Sequence, residues 1–154
     1  MHVTSIAALV ALAIAAASTA ASQQVPAKLA ELAAVARLDR PVVAWCAGEF
    51  RSGHAGAYAV AIASASGGRY LVLESGQPVV ELGRFTGGPD ISCYTPAEAR
   101  KLDLALRASD TISGRIAPEW ATTVVCAFVE NTRAVCWQHS PRNGAFVKVG
   151  EWVT

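Results

Sequence analysis

The chain has 154 residues and a formal net charge of +1, from 13 Lys and Arg against 12 Asp and Glu. Such a balanced charge gives no electrostatic footprint for nucleic acid or for an anionic membrane surface, so neither is predicted as a partner. With 53% hydrophobic and 16% charged residues, the chain is too apolar for a disordered protein and long enough to bury one core.

The N-terminal segment has the pattern of a secretory signal sequence. Residues 6–17 form an apolar run, small residues follow at 18–22, and residues 1–5 contain no Lys or Arg. This order predicts a signal peptide at 1–21 with cleavage near Ala20 or Ala21. The run is too short and too rich in alanine for a membrane-spanning helix. The mature protein is therefore predicted to be periplasmic or secreted, without membrane insertion.

Beyond the signal sequence, residues 22–154 are predicted to form a single small domain, beginning with a helix at 25–40. Pro26 suits a first helical turn and Pro41 ends the pattern. A flexible alanine-rich linker is the alternative interpretation of this segment. Four β-prone runs separated by glycine-rich turns follow within residues 42–85. In the run from Ala57, large residues alternate with alanines, and we expect the alanine face to lie against another surface.

The second part of the chain repeats this order. Thr95, Pro96 and Glu98 have the spacing of a capping box with proline at the first helical position, which predicts a helix over 96–109. Four more β-prone runs fill residues 111–153. We therefore predict an α+β fold in which two short helices pack on antiparallel β-meanders of about eight strands. The repeated order suggests two helix-plus-four-strand halves.

The four cysteines all follow the signal sequence, and an even number in an exported chain favours two disulfides. A hairpin folded symmetrically about Asn131 sets Cys126 opposite Cys136, close enough for a cross-strand bridge. By elimination Cys46 pairs with Cys93. Zinc is disfavoured because no Cys-x-x-Cys occurs, and we predict neither a metal nor another cofactor.

Few residues suit catalysis. The mature chain has two histidines, His54 and His139, and no hydrolase or phosphate-loop motif. Five carboxylates could serve a glycosidase, but nothing in their spacing selects a catalytic pair. They are Glu49, Glu74, Glu81, Asp90 and Glu119. A thiol- or histidine-dependent envelope hydrolase would need Cys46 or Cys93 unbridged beside one of the histidines.

The tryptophans are the best candidates for binding. Trp45 and Trp137 adjoin cysteines, which predicts that they pack on disulfides. Trp120 lies in a predicted loop and Trp152 lies near the C-terminus, so both are predicted to be available to a partner. His54, in a glycine-rich loop, is the third candidate interface residue.

Residues 63–70 (ASASGGRY) are similar to the Ser-Ala-Ser-Gly-x-x-Tyr stretch of the periplasmic C-type lysozyme inhibitors. The resemblance implies an all-β barrel and inhibitor function. In that family a second stretch containing Lys-Gly also enters the lysozyme cleft, whereas this chain has Leu73-Glu74-Ser75-Gly76 and adds a capped helix. We interpret the match as a shared turn motif.

Together these features predict a small exported, disulfide-stabilised protein without catalytic machinery, which binds a protein or an envelope polymer. Inhibitor or immunity-type binding is one form of this function. Two alternatives stay open. One is the envelope hydrolase; the other is a structural envelope protein that associates with itself through the alanine face of residues 57–63.

Overall fold

The computed structural model describes residues 24–154, and the predicted signal peptide lies outside the described residues. Within residues 24–154, no helix is long and apolar enough to span a bilayer. The described chain contains two helices and nine strands, in the order α1 (Ala27–Ala36), β1 (Val42–Gly48), β2 (Ala57–Ser64), β3 (Gly67–Leu73), β4 (Val80–Phe85), β5 (Ile91–Tyr94), α2 (Pro96–Arg107), β6 (Ser113–Ile116), β7 (Val124–Glu130), β8 (Arg133–Ser140) and β9 (Ala145–Val153).

The strands form two antiparallel sheets, which confirms the predicted fold class. The first sheet is a meander in the order β1-β2-β3-β4, and the second has the order β5-β7-β8-β9-β6. Strand β5 was not predicted, because its four residues follow Gly-Gly-Pro and show no clear alternation. It pairs with β7 at the edge of the second sheet and so brings the number of strands to nine.

The two sheets pack face to face around one apolar cluster. Alanines 57, 59 and 61 of β2 are fully buried and belong to this cluster, together with Val125 and Trp137 of the second sheet. Their short side chains allow the sheets to approach closely. The alanine face is thus covered by the protein's own second sheet. It is not free to contact a second copy of the chain, so the expectation of self-association through residues 57–63 is wrong.

Each helix covers the outer face of one sheet. Leu29 and Leu32 of α1 pack with the large residues of the first sheet, including Val60 and Leu71. Ala99, Leu102 and Leu106 of α2 pack in the same way on the second sheet. The resulting order of layers is helix, sheet, sheet, helix, and each sheet is buried on both faces.

The helix ends differ from each other. The predicted capping box of α2 is formed: the Thr95 hydroxyl accepts from the Glu98 amide at 3.2 Å, and the Glu98 carboxylate accepts from the Thr95 amide at 2.8 Å. The first helix ends at Ala36 rather than near residue 40, because Arg37 takes a left-handed conformation with φ 53° and terminates it.

Both predicted disulfides are present. Cys46–Cys93 joins β1 to β5, which are edge strands of different sheets, and Cys126–Cys136 joins directly opposed residues of β7 and β8. All four cysteines are bridged, so neither Cys46 nor Cys93 has the free thiol that the thiol-dependent hydrolase would need.

The tryptophans beside the cysteines do not pack on the adjacent bridges. Successive side chains of a strand point to opposite faces. Trp45 therefore packs under α1, in edge contact with Tyr58 at 5.9 Å between ring centroids, whereas Cys46 points between the sheets. Trp137 likewise faces the other sheet, whereas Cys136 faces α2.

Candidate binding site

Several loops meet at one end of the sandwich, which we call the loop end. They are residues 49–56 between β1 and β2, 74–79 between β3 and β4, 117–123 between β6 and β7, and 141–144 between β8 and β9. Phe50, from the first of these loops, and Phe146, from β9, stand in edge contact at 6.1 Å at this end of the molecule. Functional residues concentrate on loops that a rigid scaffold positions, so this end is the natural place to examine.

A buried carboxylate organises the first of these loops. Glu74 is only 8% exposed, and its two oxygens face different side chains. Arg51 Nε lies 3.1 Å from Oε2, and His54 Nδ1 lies 3.6 Å from Oε1. A buried carboxylate is costly unless it is paired, so Glu74 holds Arg51 in place. The Oε1 atom of Glu74 faces His54 but makes no hydrogen bond within residues 24–154. The His54 ring itself stays about half-exposed at the surface.

His139 lies on the inner side of the same end. It is buried, and its ring stands edge-on to Phe146 with 5.4 Å between centroids. Burial lowers the pKa of His139, and the positive charge of Arg51 lowers it further. Its Nε2 atom has no hydrogen-bond partner in residues 24–154. The surroundings of His139 therefore disfavour the charged form of its imidazole.

A second buried polar side chain, Gln138, holds the loop that carries Trp120. Its Oε1 accepts from the Glu119 amide at 3.0 Å and the Trp120 amide at 3.4 Å. Its Nε2 donates to the carbonyls of Trp120 and Thr122, both at 2.9 Å. Because Gln138 is fully buried and bound to backbone groups on three residues, it fixes the loop's conformation.

The loops of His54 and Trp120 are also tied to each other. The Glu49 amide donates to the Thr123 hydroxyl at 2.9 Å, and the Thr123 amide donates to the Glu49 carbonyl at 2.9 Å. The Glu49 carboxylate then accepts from the Gly53 amide at 2.8 Å, one residue before His54. Two of the three predicted interface residues thus lie on adjacent, mutually bonded loops.

The third predicted interface residue is elsewhere. Trp152 is fully buried beneath α2, opposite Ala134 in the β8–β9 register and in edge contact with Phe128 at 5.9 Å. The expectation that it is available to a partner is wrong, because this part of β9 is a central strand whose outer face the helix covers.

Sequence reasoning missed Arg51 and Gln138, and it left Glu74 as one of five unselected carboxylates. Gln138 carried a usable signal, since a glutamine within a run of apolar strand residues must find buried partners. Arg51 carried none, because its role depends on a carboxylate 23 residues away.

The loop end has one histidine beside a carboxylate. His54 beside Glu74 resembles a histidine oriented by a carboxylate, but the separation of 3.6 Å exceeds a hydrogen bond, and Arg51 neutralises the same carboxylate. In the part of the chain that the structure describes, no three His, Cys, Asp or Glu side chains come together as metal ligands. The loop end offers an imidazole, a guanidinium edge and a half-buried tryptophan.

Comparison with known proteins adds no relative: no family model matches the chain, and neither the curated proteins nor the solved structures contain a significant match.

Proposed function

We propose that the protein is an exported, non-catalytic binding module that recognises a protein or an envelope polymer in the bacterial envelope or outside the cell. The loop end is its binding surface, with His54, Arg51 and Trp120 as the contact residues. Inhibition of an enzyme or immunity to a toxin are forms of this function in which a rigid surface blocks a partner.

The buried polar anchors carry this proposal. Glu74 and Gln138 lie under the surface and use their hydrogen-bonding groups to hold exposed loops rather than to join the sheets. Binding costs less free energy when the contact groups are already ordered, because less conformational entropy is lost on association. Burying polar groups to fix two loops is what a preorganised binding surface requires.

Export is supported separately. Two disulfides suit an oxidising compartment. The apolar run at 6–17, followed by small residues, supplies the signal that would take the chain there. Intact mass of the exported protein, with thiols alkylated before and after reduction, tests both points. We expect the loss of about 20 residues and no alkylation before reduction.

The binding surface is tested with single-residue variants. Immobilised mature protein is exposed to an extract of the producing cell's envelope, and retained components are quantified for wild type, His54→Ala and Trp120→Ala. Arg100→Gln, on the exposed face of α2, is the control. We expect a component that wild type and the control retain equally and that both loop variants lose by about tenfold or more. Retention that is the same for all four proteins would overturn the assignment of the loop end.

A further inference from the structure

A second site lies at the opposite end of the first sheet. Three arginines, Arg40, Arg69 and Arg84, line a surface depression of about 580 Å³, which we call the arginine pocket. Its acidic lining residue is Asp39, so the lining has a formal excess of two positive charges, whereas the whole chain carries +1. The depression lies where the chain enters β1 and where β3 and β4 run side by side, and its lining is locally basic.

Two of the arginines face each other across the sheet. Arg69 and Arg84 are direct partners in the antiparallel register of β3 and β4, so their side chains project from the same face. Like charges directly opposite each other are unfavourable in a sheet. An anion bound beside these three arginines would reduce the repulsion between their positive charges.

The carboxylates nearby do not neutralise these charges. Arg69 contacts Asp39 at 3.2 Å and Arg84 contacts Glu81 at 3.1 Å, but Asp39 and Arg84 are both largely exposed. Exposed ion pairs of this kind are weak and exchange readily with water. Arg40 makes no ion pair within residues 24–154. The guanidinium groups are available to a ligand.

The shape and the charge together select a ligand class. The buried side chains of Ile62 and Phe85 contribute to the lining, and the depression has the volume of a small-molecule site. Guanidinium groups match the oxygens of phosphate in geometry, and they bind it through paired hydrogen bonds. A phosphate monoester carries close to two negative charges at neutral pH, which equals the excess in the pocket, whereas a carboxylate carries one.

We propose that the arginine pocket binds the phosphate monoester group of a small molecule, with Arg69 and Arg84 as its principal ligands and Arg40 as a third. This site is independent of the loop end, which lies at the other end of the same strands. The protein would then hold two ligands of different chemistry on one rigid sheet.

The test is calorimetric titration of the disulfide-intact protein at low ionic strength with inorganic phosphate and with glucosamine 6-phosphate. We expect saturable binding of one equivalent, with affinity reduced about tenfold by Arg69→Gln or Arg84→Gln. Arg100→Gln, which makes the same change in net charge on α2, should leave the affinity unchanged. Arg40→Gln removes a pocket arginine that makes no ion pair within residues 24–154, and it should also weaken phosphate binding.

Asp39→Asn gives a change of opposite sign. Asp39 occupies Arg69 and competes with the ligand, so its neutralisation should tighten phosphate binding. Tighter binding of the sugar phosphate than of inorganic phosphate would assign the site to an organic phosphate, and equal binding would assign it to the phosphate group alone. Absence of saturation, or equal losses in the Arg100 and pocket variants, would overturn the proposal.

Discussion

The two helix-on-sheet halves have the same layers but hold their helices differently. In the second half, α2 begins with a capping box, and its buried Asp103 accepts a hydrogen bond from the Ile116 amide at 2.8 Å. In the first half, α1 follows Pro26 at its N-cap position, which provides no side-chain cap, and packs through Leu29 and Leu32. Apolar burial determines that a helix covers the sheet, whereas directional hydrogen bonds also determine its register. The position of α2 on its sheet is therefore fixed by directional contacts, whereas α1 has no side-chain cap at its N-terminus.

The largest expected effect concerns the link between the halves. Cys46–Cys93 closes a loop with a sequence separation of 47, and Cys126–Cys136, inside the second half, closes one of 10. From loop-closure entropy, replacing both cysteines of the first bridge by alanine should cost about 4 kcal/mol, and of the second about 3 kcal/mol. Urea unfolding of the two double variants checks this order, and a larger loss from the hairpin bridge would contradict it.

The next effect tests the polar contact of α2. Asp103 is 5% exposed and also contacts Arg107 at 2.7 Å. Asp103→Ala leaves the Ile116 amide without its acceptor in a buried place, and we expect a loss of about 3 kcal/mol in the free energy of unfolding. Asp103→Asn keeps an oxygen for that amide and should cost about 1 kcal/mol. Equal losses in the two variants would show that the hydrogen bond to Ile116 does not hold the helix.

The same contrast explains which parts of the protein the sequence predicts. The capping box of α2 and the Cys126–Cys136 hairpin are local patterns, and both formed as predicted. Strand β5 was missed because it is short and its residues pair with residues at least 30 positions later, a contact without local signal. Loop composition singled out His54 and Trp120 as candidate interface residues, but the buried side chains that hold their loops, Glu74 and Gln138, are distant in the sequence.

The junction between the halves provides a test through pH. His139 of the second sheet lies within electrostatic reach of Arg51 and Glu74, in loops of the first half, and its pKa is lowered by burial and by Arg51. Since the unfolded chain binds the proton more readily, stability is fully present above the unfolded pKa of about 6.5 and is lost as the pH falls below it. The slope from this group is at most about 1.4 kcal/mol per pH unit.

Replacing the imidazole should reduce that dependence. We expect His139→Gln to lose less stability than wild type between pH 7.5 and 5.5, measured by thermal unfolding in buffers of matched ionic strength. The comparison is between slopes rather than absolute stabilities, so a constant packing defect in the variant does not affect it. The same slope in both proteins would mean that the pKa of His139 does not differ between the folded and the unfolded protein.

The smallest expected effect is that of glycine at the C-terminal ends of the two helices. It should stabilise one helix end and destabilise the other. Arg37 ends α1 with φ 53°, where a side chain is strained, whereas Ala108 ends α2 with φ −84°. Arg37→Gly should therefore stabilise the protein by about 0.5 kcal/mol, because glycine accepts positive φ. Ala108→Gly should destabilise it by a similar amount, because there glycine only adds freedom to the unfolded chain. Equal signs in the two variants would mean that glycine's effect on the unfolded chain dominates at both positions, and that left-handed geometry does not limit the stability of α1.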